Sequence, residues 1–313
     1  MQLNRISNML LGIAIGDTFG AGYEFAYPKI TDYANIDTKA YREHPNKNFK
    51  HAAGRYTDDT QMSIAVAELM LSNKPFTHLN LATRIFECYK RDPTIGYAKG
   101  FQAFLDSINS GEEFLEKIKP DSIRNGAAIR ALPIGIHPNI ETVIEYARIN
   151  AEITHNTPKG IASSVFIALL AHKLLYDQSD IFYVDEEIIN PHIMKIDNET
   201  ASYLNEVWLM KELDLELLLG DHKNKGVPCD GMRTCGAALH AFTDYSTPFE
   251  VLTYSVLLGG DTDSTASVAL GLKMIDHNVS GLPSFLFNDL DNGKYGRDYL
   301  IQLGKKLSEK YII

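Results

Sequence analysis

Cysteine is scarce in this chain, with 3 among 313 residues. Cys88, Cys229 and Cys235 form no C-x-x-C pair, so neither a disulfide framework nor a sulfur-ligated metal site can be drawn from them. Such usage suits a reducing compartment, and the expected location is cytoplasmic. Positive charge is short as well: 30 Lys and Arg face 40 Asp and Glu, a formal net charge of −10. That sign repels nucleic-acid backbones and anionic membranes, and with no basic patch to offset it neither kind of partner is expected. No apolar run near Met1 ends in a small-residue cleavage site, so no signal peptide is read. The most apolar stretch, residues 161–176, contains His172 and Lys173 and falls short of the ~20 residues of a bilayer span, which predicts a buried helix. No Pro/Gly/Ser-rich linker or low-complexity tract divides the chain. There is no G-x-x-x-x-G-K-[ST] and no G-x-G-x-x-G after a strand pattern, which excludes the common nucleotide-binding loops.

What is present is an ordinary globular composition, 45% hydrophobic and 22% charged. Apolar residues recur at helical spacing at Leu3, Ile6, Leu10 and Ile13, at Ile64, Ala67 and Leu71, and at Leu81, Ile85 and Tyr89. The same rhythm runs through Val143, Tyr146 and Ala147 and through 161–175. Strand alternation is nearly absent; residues 181–184 read as strand or loop. The pattern predicts an all-α fold, with segments 27–53, 177–200 and 220–236 as loops on one helical body.

Two acidic turns stand out. Thr57-Asp58-Asp59-Thr60 opens the helical run 61–71, and Gly260-Asp261-Thr262-Asp263-Ser264 opens 265–275. Capping explains one Asp, Ser or Thr at a helix start, because a side-chain oxygen satisfies a free first-turn N–H. The surplus carboxylates need another reason, since unpaired charge near apolar helices is costly. A hard divalent cation would supply one, because Mg²⁺ and Mn²⁺ accept carboxylate and hydroxyl oxygens. Capping and cation binding both stand at this point. A third element, Gly12-Ile13-Ala14-Ile15-Gly16-Asp17-Thr18-Phe19-Gly20, permits close backbone approach and is followed by Glu24 in apolar and aromatic surroundings.

In this order, the three elements resemble those of the ADP-ribosylglycohydrolase family, and the likeness extends over nearly the whole chain. The resemblance implies a single compact orthogonal helical bundle over residues 1–313 and two divalent cations, Mg²⁺ or Mn²⁺. It implies metal ligation by Thr57, Asp58, Asp59, Asp261, Asp263 and Ser264, with Glu24 and Asp59 as the catalytic residues. Gly96-Tyr97-Ala98-Lys99-Gly100 and Arg124-Asn125-Gly126-Ala127 are similar to substrate loops of the family, which implies contacts by Gly96, Gly100, Asn125, Gly126 and Ala127. Thr154-His155 is like a step that lines the ligand cleft, although a lone His is equally a bonded core residue. Gly231 is a further contact on this basis. The implied reaction is metal-dependent hydrolysis at C1 of the distal ribose of ADP-ribose joined to a protein or another acceptor. Arginine-cleaving relatives carry Asp-Ile-Gly where this chain has Thr94-Ile95-Gly96, so the leaving group resembles more closely that of relatives removing O-linked ADP-ribose. The alternatives are a catalytically silent ADP-ribose binder or a structural protein of the same fold, and a prenyl-diphosphate-type enzyme, whose D-D-x-x-D motif is broken here by Met62. The sequence carries no signal for oligomeric state.

Overall fold

A computed structural model of the chain describes residues 3–26, 29, 31–49, 51–177 and 183–311. In chain order its α-helices are α1 (Arg5–Ala21), α2 (Asp58–Leu71), α3 (His78–Arg91), α4 (Lys99–Ser107), α5 (Gly111–Lys117), α6 (Gly126–Ile129), α7 (Ile140–Glu152) and α8 (Pro158–Tyr176). They continue with α9 (Asn198–Trp208), α10 (Leu215–Leu219), α11 (Gly231–Asp244), α12 (Pro248–Leu258), α13 (Thr262–Lys273), α14 (Ser284–Asn288) and α15 (Arg297–Tyr311). No strand occurs among the described residues; Asp121 with His155 and Val227 with Gly260 form isolated bridges. The fold is all-α, as the periodicity predicts.

Helix α1 is the hub. Asn4 starts it by accepting the Ser7 N–H at 2.7 Å, and every residue from Ile6 to Ala21 is buried. A helix covered on all sides needs neighbours packed close around it. Gly12, Gly16 and Gly20, four apart and so on one face, meet the backbone of α13. A Cβ at these positions would stand 2.7 Å from Leu270 O, 2.3 Å from Ala266 O and 2.4 Å from Thr262 O. Those partners are also four apart, so the two helices lie main chain against main chain. The Thr262 hydroxyl fastens the end of the contact by donating to Gly20 O at 2.7 Å.

On another face, Asp17 grips the start of α2. Its carboxylate is fully buried and accepts from Thr57 N at 3.0 Å, Thr57 Oγ1 at 2.8 Å, Thr60 N at 3.0 Å and Thr60 Oγ1 at 2.6 Å. Burial pushes its pKa up to about 6, against the opposing pull of these hydrogen bonds. Through glycine contact on one side and Asp17 on another, α1 brings together two helix starts some 200 residues apart.

The predicted loops need correction in two places. Residues 177–200 hold a wide π-type helix, Asp185–Ile193, and the first turn of α9. Its buried Ile188, Ile189 and Ile193 join the core, and Pro191 removes a main-chain donor within it. Residues 181 and 182 of the possible strand lie outside the described residues. The loop over 220–236 ends earlier, because Asp230 caps α11 by accepting the Arg233 N–H at 2.9 Å. Helix α8 also extends past the predicted run to 19 residues, long and apolar enough by length and composition to span a bilayer. Its residues are mostly buried among other helices, as the sequence predicts.

Candidate active site

The two helix starts open on one cavity of about 1230 Å³, large enough for a nucleotide-sized ligand. Asp58 and Asp59 from α2, Asp261, Asp263 and Ser264 from α13, and Glu24 from the turn after α1 all line it. Carboxylate oxygens of Glu24, Asp261 and Asp263 lie within 4.8 Å of one another.

Capping accounts for little of this acidity. On α2 the cap is Thr57, which accepts the Asp59 N–H at 3.4 Å, so Asp58 and Asp59 are surplus. On α13 Asp261 holds the cap position without making a capping bond; its Oδ2 instead accepts from Asn125 Nδ2 at 3.0 Å. Asp263 Oδ1 accepts the Ser264 N–H at 2.9 Å. Asp59 Oδ2 is buried with no hydrogen-bond partner, an uncommon state for a carboxylate oxygen.

Electrostatics sharpen the conflict. Burial, and then the charges of neighbouring carboxylates, hold Asp58, Asp59 and Asp263 well above the ordinary carboxylate range. Burial likewise raises Glu24, with Asp261 adding to it and the hydrogen bond from His44 opposing it. An all-oxygen set of crowded carboxylates with one partnerless oxygen is a fit for a hard divalent cation.

Gly96 has φ +115 and borders Asp58, where a Cβ would stand 2.1 Å from Oδ1. The Asp58 N–H donates to Ile95 O at 3.1 Å. Gly96 therefore fits the Asp58 carboxylate as well as facing the cavity. Gly100 is exposed in the first turn of α4, with nothing within 4 Å of an added Cβ. Gly126 and His155 line the wall together, and a Gly126 Cβ would stand 3.0 Å from His155 Cε1. Asn125 lines the cavity while holding Asp261.

Three predicted residues lie elsewhere. Ala127 is buried away from the lining, and its carbonyl accepts from Asn150 Nδ2 at 2.8 Å. Gly231 is also behind the lining, pressed at Cβ distances of 2.9 Å and 3.0 Å to Ser163 Oγ and Arg124 O. Thr57 sits just behind the wall with its hydroxyl proton given to Asp17. Ala127 and Gly231 thus pack behind the wall, Gly231 against the Ser163 side chain and the Arg124 carbonyl.

Sequence reasoning missed several others. Asp17 was visible only as an acid in a run of small residues, and its grip on α2 depends on tertiary contact. His44 Nε2 lies 2.6 Å from Glu24 Oε2, while its Nδ1 accepts the Asn46 N–H at 2.9 Å. That leaves Nε2 as the donor of the neutral ring, fixed further by stacking on Phe49 at 4.7 Å. A polar loop gave no local signal for it. Arg130, Arg124 and Lys119 put positive charge on the cavity wall. Phe25, next to Glu24, has φ 46 and is 52% exposed, a strained backbone position of the kind that gathers at working sites.

The ADP-ribosylglycohydrolase family model matches residues 1–312. An ADP-ribosylhydrolase ARH3 from Xenopus tropicalis is 25% identical, the match covering 99% of this chain and 96% of that protein. An ADP-ribosylarginine hydrolase Tri1 from Pseudomonas putida is 24% identical, over 90% of this chain and 72% of that one. A solved structure described as an ADP-ribosylglycohydrolase-related protein complex superposes with a TM-score of 0.72 at 21% identity, covering 98% of each chain.

Proposed function

Because this chain belongs to the ADP-ribosylglycohydrolase family, we propose that it hydrolyses ADP-ribose conjugates, cleaving at C1 of the distal ribose with the aid of divalent cations. The observation that carries this reading is the meeting of Asp58 and Asp59 with Asp261 and Asp263 at one cavity, with Asp59 Oδ2 buried and partnerless. Asp58, Asp59, Asp261, Asp263 and Ser264 would hold two cations, Mg²⁺ or Mn²⁺, with Thr57 setting the α2 turn beside them. When bound, such ions supply positive charge that orients ribose hydroxyls and acidifies water.

The chain's own residues do the rest. Glycoside cleavage passes through an oxocarbenium-like state and needs a carboxyl group to move a proton at the leaving atom or the attacking water. Glu24 takes that role: burial and Asp261 raise its pKa, bringing a proton within reach, and His44 holds one oxygen in place. Asp59 would aid it by polarising the attacking water. The diphosphate lies toward Arg124, Arg130 and Lys119, and the uncapped start of α4 at Ala98 offers main-chain N–H groups beside it. Gly96, Gly100, Asn125, Gly126 and His155 complete the ligand wall. The site of the acid carried by arginine-cleaving relatives is Thr94 here, buried and bonded to Tyr56 O at 3.3 Å. An O-linked conjugate is therefore the preferred substrate.

The test is a panel of Ser-, Arg- and Asp/Glu-linked ADP-ribosyl peptides with Mg²⁺, following free ADP-ribose. Release from the Ser-linked peptide in preference to the Arg-linked one is expected. Tight binding without release from any peptide would make the protein a reader of ADP-ribose, and neither binding nor release would remove ADP-ribose from the account.

A further inference from the structure

The guanidinium of Arg130 is buried, with 1% of the residue exposed, among neutral partners. Nε donates to Asn150 Oδ1 at 2.6 Å, and Nη2 donates to Asn150 O at 2.7 Å and to Thr154 Oγ1 at 2.8 Å. Nη1 meets only the weak acceptor Met62 Sδ at 3.5 Å. An arginine can donate but never accept, so one lone pair of the Thr154 hydroxyl is committed. The same oxygen lies 2.7 Å from His155 Nδ1.

A hydroxyl has one proton and two lone pairs. If Nδ1 carried a proton, Thr154 would accept from both sides and its own buried O–H would face no acceptor, a costly state for a buried donor. If Nδ1 is bare, the Thr154 proton goes to it and every group in the chain Arg130, Thr154, His155 is satisfied. We infer that Arg130 and Thr154 are positioning residues that hold His155 as a neutral imidazole protonated on Nε2, a fixed donor to an oxygen of the ligand. The edge it presents runs along Gly126, where a Cβ would come within 3.3 Å of Nε2; glycine keeps that edge open. Charging the ring is opposed as well: burial, then the nearby Arg130 and Arg124, push His155 down to about 3. A neutral donor keeps its hydrogen-bonding pattern through the pH range in which an ordinary histidine titrates.

The role toward ligand rests on the proposed ADP-ribose specificity, whereas the protonation pattern does not, and one experiment separates them. The full chain, labelled with ¹⁵N-histidine and loaded with Mg²⁺, is examined by imidazole nitrogen–proton correlation, His155 being identified by its loss in H155Q. Wild type and T154S are expected to show a protonated Nε2 and a bare Nδ1 that do not change from pH 8 to pH 5. In ADP-ribose titrations T154S should bind within about twofold of wild type, while T154V should bind about three- to tenfold more weakly, the equivalent of one lost hydrogen bond. A proton on Nδ1, or a ring that titrates above pH 5, overturns the inference. Unweakened binding by T154V overturns the positioning role. The expected spectrum together with no ADP-ribose binding by wild type would instead overturn the proposed ligand and leave the protonation state standing.

Discussion

Substituting Gly16 by Ala sets two effects of opposite sign against each other. Alanine favours a helix interior by about 1 kcal/mol over glycine, so an ordinary helix would gain stability. At Gly16 the new Cβ would stand 2.3 Å from Ala266 O, 2.6 Å from Ala266 C and 2.8 Å from Ser267 Cα. All three are main-chain atoms of α13, and none can rotate aside. Restoring ordinary contact near 3.5 Å requires α1 and α13 to part by roughly 1 Å. Overpacking of this kind typically loses about 1–3 kcal/mol, and contact with backbone alone puts Gly16 at the upper end, so overpacking wins over propensity. The neighbouring Asp17 and the Thr262–Asp263 turn move with the helices, and a misplacement of about 1 Å at a catalytic site can lower the rate about 10²-fold. Urea melts of G16A and G100A give the comparison, because Gly100 has nothing within 4 Å of an added Cβ and should gain only the propensity term. G16A is expected to be less stable by about 1–2 kcal/mol net, with turnover reduced more than proportionately. A G16A protein as stable as wild type would refute main-chain contact between α1 and α13 as the device that joins the two acidic turns.

Glu24→Gln should lose about 10²–10⁴-fold in turnover while retaining ADP-ribose binding, as measured by single-turnover release and calorimetry; full activity would remove Glu24 from the chemistry. Asp261→Asn should weaken Mg²⁺ affinity, and an unchanged calorimetric stoichiometry and affinity would count against its place among the ligands. His44→Ala removes the hydrogen bond that favours the charged form of Glu24, so the limb of the pH–rate profile that Glu24 governs, alkaline if it gives a proton and acid if it takes one, should move to higher pH; a profile with both limbs unmoved would dissociate His44 from Glu24. His155, pushed from 6.5 down to about 3 in the fold, is neutral in the native chain where the unfolded chain would be protonated. The unfolded state thus binds more protons between those values, so stability rises with pH there, and lowering the pH from about 6.5 to about 3 removes roughly 3–5 kcal/mol in total. The difference in stability between wild type and H155Q should shrink accordingly on acidification, and parallel pH curves would contradict the buried neutral ring.

The helices were legible because their information is local: the spacing of Ile6, Leu10 and Ile13 in α1, or of Leu81, Ile85 and Tyr89 in α3, follows from one turn to the next. The wide helix at Asp185–Ile193 was not, because Pro191 and the acidic start mask its short apolar run. At the site, Asp58, Asp59, Asp261 and Asp263 could be picked out as more acid than capping requires. Their companions could not, since Asp17 and His44 act on groups 40 and 20 residues away. Ala127 and Gly231 show the converse, since small residues beside a cleft have the same appearance in sequence whether they face a ligand or a neighbouring backbone.

Folding gathers carboxylates from two distant turns at one cavity, and the proposed hydrolysis of ADP-ribose conjugates depends on the cations they would hold. That dependence is measured as release of free ADP-ribose from a Ser-linked ADP-ribosyl peptide by wild type and D261N, each with Mg²⁺ and with a chelator. Wild type with Mg²⁺ should release it, and both the chelator and the single substitution should suppress release. Equal release in all four reactions would mean that neither the cations nor Asp261 takes part in the hydrolysis.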